Sequence, residues 1–383
     1  MSPNDEALSS KIAPRETGYG DGYQQSVDIE CRALFGMTPD EMYRRQTGLV
    51  TDSIPVSLYG EEDLKDTPVL GGNFRSALDV KAKKLGHIKK APTLRQRARK
   101  AGIELVGSCD LDLGPGKRVL DIASGEGDSS RYLSTTGADV VSRDLSGSLV
   151  KKAIERDLEI RNGVREGIGA SLGDVTYNIG DMGDIGRSFD DDSEKFDVVS
   201  CMGRSFIYLL TRENYESALC EYFDLLNPGG KIVLQGRECV KGYDDISWSE
   251  ETKTGFGVDP ESGDSAIKDL DSGVDFVWRK GEEIINEEGV KISKASRYLR
   301  YPDGKIKELK VVDSDEYFSL QHLDKMADML KKAGFVNVGL KAQELSRDGS
   351  DIMFALVAEK PKPKAVGKMS AGFGRRILNR LRR

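Results

Sequence analysis

The stretch RVLDIASGEGDSS, Arg118 to Ser130, decides how this chain folds. A short apolar run closes on the carboxylate of Asp121. Small residues follow at Ala123, Gly125 and Gly127, and helix-compatible residues come next. That order reads as strand, tight turn, helix. In an open parallel sheet ligands lie beyond the carboxyl ends of the strands, and a helix start offers free N–H groups there. Small residues let the backbone come close to such a ligand. The next apolar run, ADVVSRD, ends on Asp144, where a carboxylate can accept both hydroxyl hydrogens of a ribose. The glycine spacing is GxGxxS, so the third glycine of a dinucleotide fingerprint is absent. A carboxylate at Asp121 also suits an amino group better than a pyrophosphate, which it would repel.

Outward from this stretch the same texture repeats. DVTYNIGD, FDVVSCMG and GKIVLQGRE are short runs rich in Val and Ile, separated by helix-compatible sequence. Such alternation implies parallel strands joined by right-handed crossovers. In TRENYESALCEYFDLL, Thr211 is the expected N-cap, and Asn227-Pro228-Gly229-Gly230 ends that helix. The alternation lapses over residues 240–318. There NEEG and YPDGK are turn signals between EEII, VKISKASRYLRY and KIKELKVV, the pattern of antiparallel hairpins. SLQHLDKMADMLKKAGF restores a helix, with Ser319 as N-cap and Gly334 at its C-terminal end, before the runs VNVGLK and DIMFALVAEK.

The expected fold is therefore α/β, a doubly wound, seven-stranded, mostly parallel sheet with a helical N-terminal cap and an antiparallel hairpin insertion. Residues 1–110 form the cap segment, in which MTPDEMYRRQ carries the capping signals Thr38, Pro39 and Glu41. Residues 111–239 are the first part of the core, 240–318 the insertion, 319–360 the last helix and strands, and 361–383 a basic tail.

With 383 residues, 38% hydrophobic and 32% charged, the chain suits a soluble globular protein. No apolar run reaches the roughly 20 residues that span a bilayer. The start MSPNDEALSSK lacks a secretory pattern, so a cytoplasmic location is expected. Five scattered cysteines without a CxxC pair, and two histidines, argue against a zinc site, and no metal is expected. The net charge of −7 conceals the tail PKPKAVGKMSAGFGRRILNRLRR, which has no acidic residue. An acidic body disfavours nucleic acid as a partner. The tail reads either as solubilising sequence or as a short basic amphipathic helix giving weak membrane-surface contact.

Taken in order, VLDIASGEG, the acid at Asp144, GDM at 180–182 and LNPGGKIVL resemble the class I S-adenosylmethionine-dependent methyltransferases, whose fold is Rossmann-like. FDVVSCMGRSFIYL followed by VLQGRE is similar to the glycine N-methyltransferase branch. The resemblance implies S-adenosylmethionine as cofactor and a small-molecule methyl acceptor. It implies cofactor contacts from Ala123, Asp144, Asp181, Met182, Met202 and Ser205, beside Asp121, Gly125 and Gly127 read from the turn itself, with Arg95 as the candidate arginine ahead of the first strand. It also implies that Arg237 clamps a substrate carboxylate. Arg204 stands where the branch has an asparagine, and Tyr208 where it has a histidine, so two arginines would face one acceptor pocket. That favours an acceptor more negative than glycine. Relatives in the branch form oligomers, which the altered amino terminus leaves open here.

Methyl transfer from a sulfonium needs alignment rather than a covalent nucleophile, and no catalytic residue is assigned. Tyr208, Tyr298 and Tyr301 are candidates to shape the acceptor pocket, and Trp248 and Trp278 join the last two in making the insertion a lid. Each candidate has a plainer role beside it: Asp144 as a helix cap, Asp181 as a loop carboxylate, Arg237 and Arg204 as surface ion-pair partners, Tyr298 and Tyr301 as hairpin packing. Cys201 reads as a small core residue, and His322 as local capping chemistry. The expected function is N-methylation of a carboxylate-bearing amine. The alternatives are O-methylation of a small acid or hydroxyl metabolite, or a catalytically silent cofactor-binding module.

Overall fold

All seven apolar runs become strands of one sheet, and an eighth joins them at its edge. The computed structural model describes residues 42–44, 46–47, 94–106, 111–167, 172–189, 194–239, 254–258, 265–269, 272–285, 291–309, 314–315, 318–319, 322–344 and 351–363. Along the chain the first elements are α1 (Leu94–Ala101), β1 (Glu104–Leu105), β2 (Arg118–Ile122), α2 (Asp128–Ser134), β3 (Asp139–Asp144) and α3 (Gly147–Gly167). Then come β4 (Val175–Ile179), β5 (Phe196–Cys201), α4 (Arg212–Leu225) and β6 (Leu226–Cys239). The insertion contributes β7 (Thr254–Val258), β8 (Ser265–Asp269), β9 (Asp275–Ile285), β10 (Lys291–Arg300), β11 (Ile306–Leu309) and β12 (Ser314–Asp315). The chain ends its described course with α5 (Leu323–Lys332), β13 (Val336–Glu344) and β14 (Asp351–Glu359).

The main sheet runs β1-β13-β14-β6-β5-β2-β3-β4. Its pairs from β6 through β4 are parallel, whereas β14 is antiparallel to both β6 and β13. From β2 the chain winds outward to β4, then returns to place β5 on the other side of β2. That reversal is the switch point at which open α/β sheets hold ligands. The edge strand β1 pairs parallel with β13, so the sheet reaches into the segment read as a helical cap. Two residues carry too little periodicity to be read as a strand from sequence.

Both faces of the sheet are buried, which is why its strands are nearly continuous apolar runs. Leu120, Ile122, Val199, Leu234, Phe354 and Leu356 pack against Ala98 of α1, Tyr215 and Leu219 of α4, and Met326 and Leu330 of α5. Val119, Val140, Val198, Val233 and Met353 face the other way, onto Leu133 of α2 and onto Met42 and Met202. Met42 belongs to helical residues at 42–47, so part of the amino-terminal segment docks directly on the sheet.

The caps test the local reading. Thr211 Oγ1 accepts the Asn214 N–H at 3.2 Å, as expected of an N-cap. The helix predicted from Ser319 instead begins at Leu323, with His322 in the N-cap position. Ser319 Oγ lies 3.0 Å from His322 Nδ1, so the serine orders the histidine rather than the helix. The YPDGK turn forms as read: the Tyr301 and Gly304 amides donate to Lys305 and Tyr301 carbonyls, both at 2.9 Å. The NEEG turn lies outside the described residues, as do Thr38, Pro39, Glu41, Trp248 and the tail from residue 364. No helix among the described residues is long and apolar enough to cross a membrane.

The C-terminal end of α4 is closed from a distance. Lys360 Nζ donates to the carbonyls of Phe223 at 2.7 Å, Leu226 at 2.8 Å and Asp224 at 3.5 Å, and stands 4.7 Å from the Phe223 ring centroid. A helix leaves its last carbonyls without intrahelical donors, and its dipole favours a cation there. We expect Lys360→Met to lower unfolding free energy by about 1–2 kcal/mol, with Lys360→Arg closer to wild type. Chemical denaturation measures this, and an unchanged midpoint in the methionine variant would show that solvent caps the helix equally well.

Candidate active site

The turn after β2 answers the question its small residues pose. Ala123, Gly125 and Gly127 all adopt left-handed backbone, with φ of 55°, 60° and 78°. For Gly127 the constraint is internal: a Cβ there would come within 2.5 Å of Tyr177 and 3.1 Å of the Ala153 Cβ. For Gly125 it is different, since a Cβ would meet no protein atom within 4 Å. Gly127 lets the start of α2 pack down on the sheet, and Gly125 keeps the open side of the turn free of a side chain. Beneath the turn, Arg131 is 1% exposed, donates to the Glu126 carbonyl at 2.8 Å and pairs with Asp128. A buried guanidinium thus holds the loop from below.

Asp121 is not on the open side. It is fully buried, and it accepts hydrogen bonds from Ser129 and Ser130 at 2.6 Å and from Ser200 at 2.7 Å. Burial pushes its carboxyl above the ordinary value, and the three hydroxyls pull it back part way. Ser130 stands where a dinucleotide fingerprint has its third glycine, and its hydroxyl anchors Asp121. The carboxylate therefore fastens the start of α2 and β5 to the end of β2.

Asp144, the last residue of β3, reaches across to the same turn. Its Oδ2 accepts the Gly125 N–H at 2.8 Å and its Oδ1 accepts the Ser146 N–H at 2.9 Å. Burial raises its pKa, the two backbone bonds lower it, and the nearby charge of Asp121 raises it again. A carboxylate has about four lone-pair positions, so two backbone bonds leave acceptor capacity for hydroxyl donors. The cap of α3 is Ser146 rather than Asp144, since Ser146 Oγ accepts the Leu149 N–H at 3.4 Å; Asp144 braces Ser146 against the Gly125 turn.

Two further strand ends converge here. After β4, Asp181 Oδ1 accepts the Gly183 N–H at 2.8 Å, and the Met182 carbonyl accepts the buried Tyr222 hydroxyl of α4 at 2.8 Å. Arg143 of β3 steadies the following 3-10 turn, donating to the Ser188 carbonyl at 3.3 Å and lying 5.0 Å from the Phe189 ring centroid. After β5, Met202 is buried, and Ser205 Oγ lies 3.5 Å from the Ala123 carbonyl, joining this turn to the one after β2. Arg204 is exposed, with φ of 72°. Tyr208 is half-buried against the core. Cys201 is fully buried, and burial followed by the charges of Asp121 and Asp144 pushes its thiol far up, so it supplies no nucleophile.

The structure thus brings Ala123, Gly125, Asp144, Asp181, Met182, Met202, Arg204 and Ser205 to one edge of the sheet. Gly127 and Asp121 support that edge from within. Arg237 lies in β6 opposite Met353, beyond Leu234, which pairs with the last residue of β5. Its side chain, like that of Arg95 in α1, lies outside the described residues. Tyr298 packs with Ala266 and Val277, and Tyr301 packs against the layer of Ile267, Phe276 and Leu299, so packing in the second sheet accounts for both rings. One site-side residue escaped the sequence reading: Gln235, a lone polar residue in the apolar run KIVLQG, accepts the Gly203 N–H at 3.1 Å.

Comparison with known proteins converges on this same segment. Residues 119–230 match the family described as methyltransferase domain. Over 154 residues the chain is 30% identical to a glycine/sarcosine N-methyltransferase of Halorhodospira halochloris, covering 39% of this chain and 52% of that one. It is 31% identical over 121 residues to a protein of the same description from Aphanothece halophytica, covering 32% and 40%. The chain therefore spans about half, or less, of the length of these curated relatives. Among solved structures it is similar to the CcbJ methyltransferase from Streptomyces caelestis, with a TM-score of 0.44 and 16% identity over 65% of this chain and 86% of that one. Residues 119–230, which hold the turns after β2, β3, β4 and β5, are thus the part of the chain that matches a methyltransferase domain.

Proposed function

We propose that the chain transfers a methyl group from S-adenosylmethionine to the nitrogen of a small carboxylate-bearing amine. The observation that carries this reading is the meeting of Gly125, Asp144 and the β5 turn at the switch point, inside the segment that matches a methyltransferase domain, in a chain 30% identical over 154 residues to a glycine/sarcosine N-methyltransferase. The residues fit a sulfonium nucleoside. Asp144 retains acceptor capacity for the two ribose hydroxyls. Gly125 presents backbone without a side chain, and Asp181 and Met182 flank the adenine side.

S-adenosylmethionine supplies an electrophilic methyl on positively charged sulfur. Everything else asked of the protein is alignment, where effective molarities of about 10⁵–10⁸ M are attainable. Arg237 orients the acceptor by gripping its carboxylate, through charge-assisted bonds of roughly 1.5–3 kcal/mol each. Arg204, exposed on the β5 turn, adds a second cation on that side. Two cations favour an acceptor with more negative charge than glycine.

Calorimetry of the purified chain with S-adenosylmethionine and with NADH tests the donor, and a panel of amino acids and small hydroxy acids tests the acceptor. We expect S-adenosylmethionine alone to bind, and amines bearing one or two carboxylates to be methylated. Arg237→Met should raise the acceptor KM about 10–100-fold, leaving S-adenosylmethionine affinity unchanged. Methylation confined to hydroxyl compounds would replace the N-transfer reading with O-transfer. Binding without turnover on any acceptor would leave a silent binding module.

A further inference from the structure

The recognised domain begins at residue 119, yet a residue from the amino-terminal segment sits within two hydrogen bonds of the β5 turn. Gln235 Oε1 accepts the Gly203 N–H at 3.1 Å, while its Nε2 donates to the Gln46 carbonyl at 3.0 Å. An N–H on one side and a carbonyl on the other fix the orientation of this amide unambiguously. Gln235 is 1% exposed and Gln46 5% exposed, so the bond between them is made away from water, where losing a partner is costly, while the bond to the exposed Gly203 lies at the margin of the core.

What Gln235 holds is a strained piece of chain. Gly203 and Arg204 are consecutive left-handed residues, at φ of 65° and 72°, and a Cβ on Gly203 would meet nothing within 4 Å. For Arg204 this backbone is unfavourable, and such conformations persist when their surroundings over-determine them. Gln235 fixes the Gly203 end of the turn, and Ser205 Oγ, near the Ala123 carbonyl, marks the other. Met42, four residues before Gln46, packs against the sheet with Met202 and Val233. The helical residues at 42–47 are therefore seated on the strand ends by an apolar contact and an amide relay together. Gln46 Oε1 is also buried, with no hydrogen-bond partner among the described residues.

We infer that the segment at 42–47 is a working part of the transfer site, and that Gln235 is the positioning residue through which it sets the β5 turn. The inference deepens the functional reading above and relies on it only for the ligand used as a probe. Two variants separate the halves of the relay. Gln235→Met keeps length and loses both bonds. Gln235→Glu keeps an acceptor for Gly203 and loses the donor to Gln46.

The test is amide hydrogen exchange of the full chain together with calorimetric titration of S-adenosylmethionine. In Gln235→Met, exchange at 202–205 should accelerate at least about tenfold and affinity should fall about tenfold. In Gln235→Glu, exchange should accelerate at 42–44 and 46–47 and, to a smaller extent than in Gln235→Met, at 202–205, with affinity between that of Gln235→Met and wild type; full protection at Gly203 and wild-type affinity in this variant would cut the amino-terminal segment out of the relay. Unchanged exchange and affinity in Gln235→Met, with only a lowered thermal midpoint, would overturn the inference and leave Gln235 as ordinary core. A wild-type chain that binds no S-adenosylmethionine would refute the functional reading. The relay would then stand or fall on exchange alone.

Discussion

Asp144→Asn lowers affinity for S-adenosylmethionine about 100-fold, and the chain stays folded. Two charge-assisted bonds to ribose hydroxyls are worth roughly 1.5–3 kcal/mol each. A neutral amide keeps an acceptor for the Gly125 N–H, turns a donor toward the Ser146 N–H, and cannot accept with charge from both hydroxyls. The carboxylate is nearly buried, and its pKa is raised chiefly by that burial. The sign of the pH effects follows. Protonation removes the charge that binds hydroxyl donors, so affinity in the wild type falls as pH drops. The acid limb is centred above the ordinary carboxylate value of about 3.9. In the asparagine variant that limb disappears.

For stability the direction reverses. A raised carboxyl pKa means the folded state binds the proton more readily than the unfolded chain does. The stabilisation from that proton is fully present below about pH 3.9 and is lost as pH rises through the folded pKa. At neutral pH the buried charge is therefore a cost, and in the asparagine variant its removal is offset by the lost Ser146 N–H bond, which leaves the thermal midpoint near wild type. Calorimetric titration across pH with a matched melting series measures both effects. Unchanged affinity in the variant would reduce Asp144 to a brace between the Gly125 turn and Ser146.

How much of this was legible beforehand depends on the range of the interaction. The seven strand runs, the Thr211 cap and the YPDGK turn rest on contacts within a few residues, and each is present. β1 is two residues long and owes its existence to β13, far along the chain. The misplaced helix start at Ser319 has the same cause: its hydroxyl bonds His322 Nδ1, a tertiary choice that propensity does not encode. Asp121 was read as facing a ligand because it closes an apolar run next to small residues. Its burial beneath the turn depends on Ser200, which arrives from β5. Gln235 and Gln46 were invisible as a pair, since neither carries a motif and 189 positions separate them. The turns at the strand ends were readable; the residues that hold those turns in place were not.

Deleting residues 245–310 should abolish turnover while S-adenosylmethionine binding persists. The nucleoside side of the site is built from the ends of β2, β3 and β4, none of which lies in the insertion. The insertion departs after β6 and returns before α5, and its six strands form their own sheet. That sheet is buried on both faces, by Ile267, Phe276 and Leu299 on one and by Ala266, Val277 and Tyr298 on the other, so it is a packed layer rather than a loose flap. Its last strand, β12, lies against the 3-10 turn Ser205–Leu209 that follows the β5 turn. Just beyond it, buried Phe318 stacks edge-on with Phe206 of that turn at 5.4 Å and meets Phe354 of β14 at the same distance. Gly236 makes room for the pair, since a Cβ there would come within 2.3 Å of Phe354 and 2.7 Å of Phe318. The deletion spares Phe318 and this seam, so the main sheet keeps its core.

On the proposed reading it removes the cover over the acceptor, where excluding water and fixing the acceptor atom in line with the methyl supply most of the rate. We expect affinity for S-adenosylmethionine within about threefold of wild type and turnover down by at least about 10³-fold. Cooperative melting of the deleted chain checks that it is folded. A folded deletion that methylates its acceptor at the wild-type rate would show that the second sheet is no lid, and that β6 and the β5 turn hold the acceptor unaided.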